Sequence, residues 1–167
     1  TVGTTGLAVL AFLGSGHSTG AGPHQEAVRK GIAYLVSVQS PDGCVGPKSD
    51  DGHYIYDHAI GARALAEAHR LSGEGASLAK PAQAAVDFLI AAQNPYYGWR
   101  YGVRPGHSDT SCTAWAVLAL DAARAAKLSV PVAGFAGAKR WFDKATDAAT
   151  FKTGYLQAGD EPGRAKV

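Results

Sequence analysis

Residues 98–120 read GWRYGVRPGHSDTSCTAWAVLAL, and this stretch decides the fold. A Gly-aromatic turn leads into a polar loop rich in Gly and Pro, and Ser108 and Asp109 then supply a helix start signal. The segment 113–120 that follows has no polar stripe. Because a helix that is apolar all round belongs in a protein interior, the stretch predicts a buried helix with polar groups at its N-terminus.

Three units with this plan follow one another along the chain, each with two predicted helices. The first helices carry a leucine in register, with spacings of 55 and 53 residues: Leu10, Leu65 and Leu118. The second helices carry a large apolar residue in register, with spacings of 54 and 53 residues: Leu35, Leu89 and Phe142. A glycine follows each second helix: Gly43, Gly98 and Gly154. Constant periods of this size indicate stacked supersecondary units.

The spacing of apolar residues, together with start and stop signals, predicts six helices. They span approximately residues 4–12, 25–39, 58–71, 81–92, 110–127 and 135–145. We expect Asp57 to be the N-cap of the third helix and Pro81 to take the first position of the fourth. Residues 72–75 (Ser-Gly-Glu-Gly) then form the loop between these two helices.

The two helices of each unit differ in how their apolar residues are distributed, and this difference predicts two layers. The first helix of each unit is apolar all round, whereas the second is amphipathic and keeps one face for solvent. The sequence therefore predicts an all-α, two-layer domain of three helical hairpins over residues 1–167, with inner apolar helices and outer amphipathic helices. The repeats span approximately 1–46, 54–102 and 107–157.

Composition excludes several classes of protein. The chain has 167 residues, 46% hydrophobic and 18% charged, which is typical of a globular domain. Its net charge of +2 is not concentrated beside aromatic residues, so nucleic-acid binding is not expected. No apolar run approaches the ~20 residues of a membrane span. Because the chain has no Met and begins with Thr1, we expect that it is not an intact gene product; the cellular compartment stays open.

The turns after the first two outer helices carry a resemblance to a known family. QSPDG from Gln39 and QNPYYGW from Gln93 resemble degenerate versions of the glutamine–tryptophan motif of terpenoid cyclases. With the layered hairpins, they are similar to the prenyltransferase/squalene-oxidase repeat superfamily, whose members fold as α/α-toroids. Residues 98–120 and 56–69 most resemble uncharacterised bacterial proteins with these repeats. The resemblance covers essentially the whole chain and implies that Trp99 braces neighbouring hairpins.

The chain departs from that family in two respects. The first repeat lacks the motif's aromatic residue and has Cys44 and Val45 after Gly43. Three hairpins are also about half of what the superfamily needs to close a ring, and the sequence stops shortly after Tyr155, where a fourth inner helix would begin. We therefore expect an incomplete ring, a fragment, or one half of a ring completed by self-association or by further C-terminal repeats.

The resemblance implies one possible catalytic site. Squalene-type cyclases protonate an alkene or epoxide with an Asp in a D-x-D-D-T-A or D-C-T-A motif, and such an acid must stay protonated in an apolar cavity. Cys112, Thr113 and Ala114 resemble the C-T-A of the second motif, but Ser111 occupies the position of the acid. Asp109 matches the first Asp of the longer motif, which is not the main donor. Asp109 is also a favoured N-cap residue, so a capping role stands beside the catalytic one.

A zinc site is a second possibility that the resemblance raises. Prenyltransferase β-subunits hold zinc with an Asp-x-Cys pair and a distant His, and Asp109 and Cys112 stand one residue further apart. The third ligand would be one of three histidines: His53, His58 or His107. Zinc requires three or four converging ligands, and no cofactor is assigned. A buried thiol is the alternative for Cys112, and a disulfide with Cys44 is another, because both cysteines are expected at one end of adjacent units.

The candidate ligand-binding residues lie at or near the N-terminal ends of the inner helices: Asp57, His58, His107, Asp109, Cys112 and Trp115. Helix N-termini that point the same way favour an anionic ligand, whereas ordinary capping and loop hydrogen bonds are the alternative. The first hypothesis is a non-catalytic binding or scaffold module that holds a protein partner or a small apolar ligand. The second is a terpenoid cyclase- or prenyltransferase-like enzyme, or a fragment of one, that acts on an isoprenoid.

Overall fold

The computed structural model describes residues 1–48, 53–72 and 76–160, and this part of the chain is all-α, as predicted. It contains six helices: α1 Val2–Gly14, α2 Gln25–Ser37, α3 Tyr54–Ser72, α4 Ala76–Ala92, α5 Thr110–Ala125 and α6 Val132–Ala145. Two isolated β-bridges close the turns after α2 and α6: Gln39–Val45 and Thr146–Thr153. None of the described helices is long and apolar enough to cross a membrane.

The helices pack in two rows. α3 lies at the centre and packs against both α1 and α5, so these three helices form an inner row. Each of α2, α4 and α6 packs against the helix that precedes it, and α2 and α4 also contact the inner helix that follows them. Each hairpin therefore contributes one inner helix and one outer helix, and the outer helices α2 and α4 link consecutive hairpins.

The outer helix α2 shows why its sequence lies on the outside. Val28, Ile32 and Leu35 are spaced by four and three residues, lie on one face of the helix and are at most 5% exposed. Glu26 and Lys30 lie on the solvent side and form an exposed ion pair one turn apart. One face thus fills the core while the other stays hydrated.

The inner row is not buried to the same extent along its length, which corrects the expectation of uniform burial. Leu65 of the central helix α3 is fully buried, whereas Leu118 at the matching position of α5 is 42% exposed and Leu7 of α1 is 46% exposed. The cause is position: α3 has an inner-row neighbour on each side, but α1 and α5 each have one. Sequence periodicity reports the apolar character of a helix, not the number of its neighbours.

Two predicted helix starts are wrong. Asp57 lies within the first turn of α3 and is not its N-cap, because the helix begins at Tyr54. Pro81 lies inside α4 and not at its first position, because the helix already begins at Ala76. Alanine-rich sequence before Pro81 favours helix strongly enough to extend it backwards past the proline. Of the predicted loop at 72–75, Ser72 ends α3 and residues 73–75 lie outside the described part of the chain.

Candidate functional site

The first repeat boundary is joined by the side-chain amide of one glutamine. Gln39 follows α2, and its Nε2 donates to the carbonyl oxygen of Gly43 at 3.0 Å and to that of Pro81 at 2.9 Å. Gly43 belongs to the same turn as Gln39, whereas Pro81 lies in the next outer helix, α4. The amide therefore closes its own turn and fixes that turn to the following hairpin.

The second boundary is built in the same way. Nε2 of Gln93 donates to the carbonyl oxygen of Tyr97 at 2.7 Å and to that of Gly134, in α6, at 2.9 Å. Each glutamine thus bonds the fourth residue after it and an early residue of the next outer helix. This register aligns Tyr97, not Gly98, with Gly43, so the recurring glycines after the outer helices are not all structural equivalents.

Each of these turns is also tied to the next inner helix. The backbone N–H of Trp99 donates to Oγ1 of Thr113 in α5 at 3.0 Å, and Gly98 precedes it because a Cβ there would overlap the Thr113 side chain. The indole N–H of Trp99 donates to the carbonyl oxygen of Leu89 at 2.7 Å, and the ring is fully buried. Trp99 therefore joins the turn to the preceding outer helix α4 and to the following inner helix α5.

His58 takes the place of Thr113 at the first boundary. The backbone N–H of Val45 donates to Nδ1 of His58 at 2.9 Å, so Nε2 carries the ring proton and donates to the carbonyl oxygen of Ala85 at 3.1 Å. Burial lowers the pKa of His58 to about 4, and the ring is neutral at physiological pH. Both ring nitrogens are used internally, so the arrangement leaves no free nitrogen for the metal or ligand contact that the sequence suggested for His58.

Asp109 is the N-cap of α5, as its alternative role predicted. The residue is fully buried, and its Oδ1 accepts from the backbone N–H of Cys112 at 2.7 Å and from Oγ of Ser111 at 2.9 Å. Its other oxygen, Oδ2, has no hydrogen-bond donor among the described residues. Among the described residues, the cation within 4 Å is Arg100, whose Nε lies 3.8 Å from Oδ2, beyond hydrogen-bonding distance.

Three tyrosines contact the neighbours of this carboxylate, Ser111 and Arg100, and none of them was a predicted ligand-binding residue. The hydroxyl of Tyr56 is hydrogen-bonded to Oγ of Ser111, and the hydroxyls of Tyr101 and Tyr155 are hydrogen-bonded to each other at 2.6 Å. The guanidinium of Arg100 lies 4.8 Å from the ring centre of Tyr101 and 5.8 Å from that of Tyr155. Burial raises the pKa of Tyr155 to about 12, so its hydroxyl is neutral at physiological pH.

These tyrosines come from three separate parts of the chain, which explains why no local pattern identified them. Tyr56 lies in the first helical turn of α3, Tyr101 lies in the loop between α4 and α5, and Tyr155 follows α6. The available signal was indirect, since Tyr155 follows Gly154 as Trp99 follows Gly98. Aromatic residues after repeat-boundary turns therefore meet at the N-terminal end of α5.

The two cysteines are buried free thiols, and the suggested disulfide is absent. Cys44 and Cys112 are 0% and 1% exposed. Burial raises the pKa of Cys44 to about 11 and that of Cys112 to about 12, so both stay protonated at neutral pH. A protonated thiol is a poor nucleophile, and the buried-thiol alternative describes both residues.

The remaining predicted site residues do not converge. Asp57 lies against Gly3 of α1, where a Cβ would overlap its carboxylate. His107 is exposed and its Nδ1 is bonded to the carbonyl oxygen of Pro105 at 3.1 Å. Trp115 is partly buried and packs against the core. Within the described residues, no three side chains of metal-ligand type come together.

The comparisons with known proteins add no relative to this description. Neither a family model, nor a curated protein, nor a solved structure matches the chain.

Proposed function

We propose that this chain is a non-catalytic binding or scaffold module of the α/α-toroid type. The observation that carries the proposal is the internal hydrogen bonding of His58, the one buried histidine among the described residues. Both of its nitrogens are bonded to backbone groups. At the matching position of the next repeat, the hydroxyl of Thr113 accepts the equivalent backbone hydrogen bond, which supports a structural role for the position.

The glutamine bridges support the same proposal. Gln39 and Gln93 make equivalent bonds to their own turns and to the next outer helix, which is the arrangement expected of units stacked in series. Each hairpin is thereby fixed relative to the next, and a fixed array presents a constant surface to a partner. In this proposal, residues 1–46, 54–102 and 107–157 are the three toroid-type repeats.

The alternative function, a cyclase- or prenyltransferase-like enzyme, has one observation in its favour. Asp109 is fully buried among aromatic side chains and has one carboxylate oxygen without a donor. Its contacts nevertheless fit a helix cap better than a proton donor. Oδ1 already accepts two hydrogen bonds and Oδ2 faces the guanidinium of Arg100 at 3.8 Å, whereas an acid for this task must hold its proton in an apolar cavity.

Metal analysis and product analysis separate the two functions. The full 167-residue chain is purified without chelators, its zinc content is measured, and it is incubated with farnesyl diphosphate, geranylgeranyl diphosphate and squalene. We expect zinc well below one equivalent and no cyclised product. One zinc per chain, or a product that disappears in Asp109→Asn, would refute the non-catalytic proposal.

A further inference from the structure

A cavity of about 340 Å³ lies between the loop that follows α4 and the C-terminal part of α6. We call it the Arg100 cavity. Trp141, Tyr97 and Leu156 contribute aromatic and aliphatic surface to its lining. Its volume is in the range of small-molecule sites, about 300–1,000 Å³, and its apolar walls suit a ligand with an apolar body.

The two charged side chains among the described lining residues of the Arg100 cavity are both basic. Arg100 and Lys144 line it together with His107, and no acidic side chain is among its described lining residues. Nζ of Lys144 lies 5.1 Å from the ring centre of Tyr97 and 5.9 Å from that of Trp141. Aromatic faces attract an ammonium group without neutralising its charge. Two cations at the lining favour an anion in the cavity, and the Asp109 carboxylate 3.8 Å from Arg100 offsets part of that charge.

One nitrogen of Arg100, Nε, has no acceptor among the described residues. This nitrogen is buried, and Oδ2 of Asp109, at 3.8 Å, is too distant to accept a hydrogen bond from it. The guanidinium is held in place by the rings of Tyr101 and Tyr155. An oxyanion in the cavity would supply acceptors to a cation that is already positioned.

The loop that forms one wall of the cavity is fixed before any ligand binds. Asn94 is 3% exposed, and its Nδ2 donates to the carbonyl oxygen of His107 at 2.7 Å and to Oγ of Ser108 at 3.1 Å. Its Oδ1 accepts from the backbone N–H of Gly106 at 2.9 Å. One buried amide thus joins three consecutive loop residues, so binding would not have to order this segment.

We propose that the Arg100 cavity binds a small organic oxyanion, a carboxylate or phosphate group attached to an apolar body. The basic side chains select the oxyanion, because a planar guanidinium suits the geometry of carboxylate and phosphate. The apolar lining selects the body. This inference rests on the proposed binding function and names the ligand class. It uses Arg100, Lys144 and Trp141, which lie outside the predicted site.

Titration of the full chain with small aromatic probes tests the proposal. The probes are benzoate, phenyl phosphate, the neutral analogue benzyl alcohol and inorganic phosphate, followed by two-dimensional ¹H–¹⁵N NMR. The chain has three tryptophans, so the indole signal of Trp141 can be assigned by substitution. We expect saturable shifts of that signal with benzoate or phenyl phosphate and none with benzyl alcohol. The tighter probe identifies the anionic group.

Two lysine variants of α6 supply a matched comparison. Lys144→Gln removes a charge that lines the cavity, and we expect binding to weaken by roughly threefold to fivefold, the size of a partly exposed charge pair. Lys139→Gln removes an exposed charge paired with Asp143 outside the lining, and we expect no change. Equal effects of the two variants would contradict the proposal.

The remaining outcomes are also decisive. Absence of saturable shifts with both organic anions, or equal binding of benzyl alcohol, refutes an oxyanion site. Inorganic phosphate that binds as tightly as phenyl phosphate refutes the role of the apolar body. Each of these results leaves the non-catalytic proposal standing, whereas an isoprenoid product refutes that proposal whatever the anions do.

Discussion

Nε2 of Gln93 lies 2.9 Å from the carbonyl oxygen of Gly134, so one side-chain amide joins the turn after α4 to the beginning of α6. Gln39 makes the equivalent bond to Pro81 one unit earlier, at 2.9 Å. In both cases the acceptor lies in the next outer helix, 41 residues after Gln93 and 42 residues after Gln39. The stacking of the units thus depends on specific hydrogen bonds as well as on apolar packing.

Removing one of these bridges should weaken the whole domain. We expect Gln93→Ala to lower the free energy of unfolding by about 1–3 kcal/mol, because it removes two hydrogen bonds that contribute about 0.5–1.5 kcal/mol each. Urea unfolding followed by circular dichroism measures the change. Gln157→Ala, at an exposed position, is the control and should stay within about 0.5 kcal/mol of wild type. A Gln93→Ala effect no larger than that of the control contradicts the bridging role.

The repeat pattern predicted the helices but not all of their surroundings. Leu35 and Leu89 stand in register on the outer helices and are both fully buried, as the period indicates. Leu65 and Leu118 stand in register on the inner helices, yet one is buried and the other 42% exposed. A period identifies equivalent positions, whereas burial depends on how many helices surround each position.

The candidate site was predictable only where its residues are close in sequence. Asp109 as the N-cap of α5 follows from a local rule about helix starts. The meeting of Tyr56, Arg100 and Tyr155 near it does not, because packing brings these residues together from distant positions in two repeats. His58 shows the opposite limit of residue-type reasoning. A histidine suggests ligand binding, but both of its ring nitrogens are hydrogen-bonded to backbone groups.

His58 should make the stability of the protein depend on pH in a defined window. Its pKa is about 4 in the folded state against an ordinary 6.5, so the unfolded state binds more protons between these values. Stability is therefore complete above pH 6.5 and falls as the pH is lowered towards 4. The loss from this group is on the order of 3 kcal/mol. Urea unfolding at several pH values measures it.

Substitutions at two histidines assign this pH dependence. In His58→Asn the amide oxygen can replace Nδ1 as the acceptor for Val45, and the loss of stability between pH 6.5 and 4 should largely disappear, although the variant is less stable at pH 7. His107 is exposed, so His107→Asn should keep the wild-type dependence. An unchanged slope in His58→Asn would show that another group is responsible.

The buried thiols should not react with alkylating agents in the folded protein. Cys44 and Cys112 are nearly inaccessible, and burial raises their pKa values to about 11 and 12. We therefore expect no alkylation by iodoacetamide at pH 8 in buffer and two alkylations per chain in urea, as measured by intact mass. Rapid modification of one cysteine without denaturant, or an intramolecular disulfide in the purified chain, contradicts this placement.

The carboxylate of Asp109 is expected to act through structure, and its substitutions can show this. Asp109→Ala removes the acceptor for the Cys112 N–H and leaves the largely buried Arg100 without its nearest anion. We expect a loss of about 2–4 kcal/mol in the free energy of unfolding, since a cap contributes about 0.5–2 kcal/mol and a broken buried pair adds to it. Asp109→Asn keeps Oδ1 and should lose less.

The exposed pair of Asp121 and Arg124 provides the control for this charge effect. Their side chains are 61% and 67% exposed, and Asp121→Ala should change stability by less than about 1 kcal/mol, because water screens such pairs. If Asp109→Ala lowers the free energy of unfolding no more than Asp121→Ala does, the Asp109 carboxylate does not stabilise the fold. An intact, equally stable Asp109→Ala protein would then return Asp109 to consideration as a reactive group, because a buried charge with no structural effect needs another reason to be there.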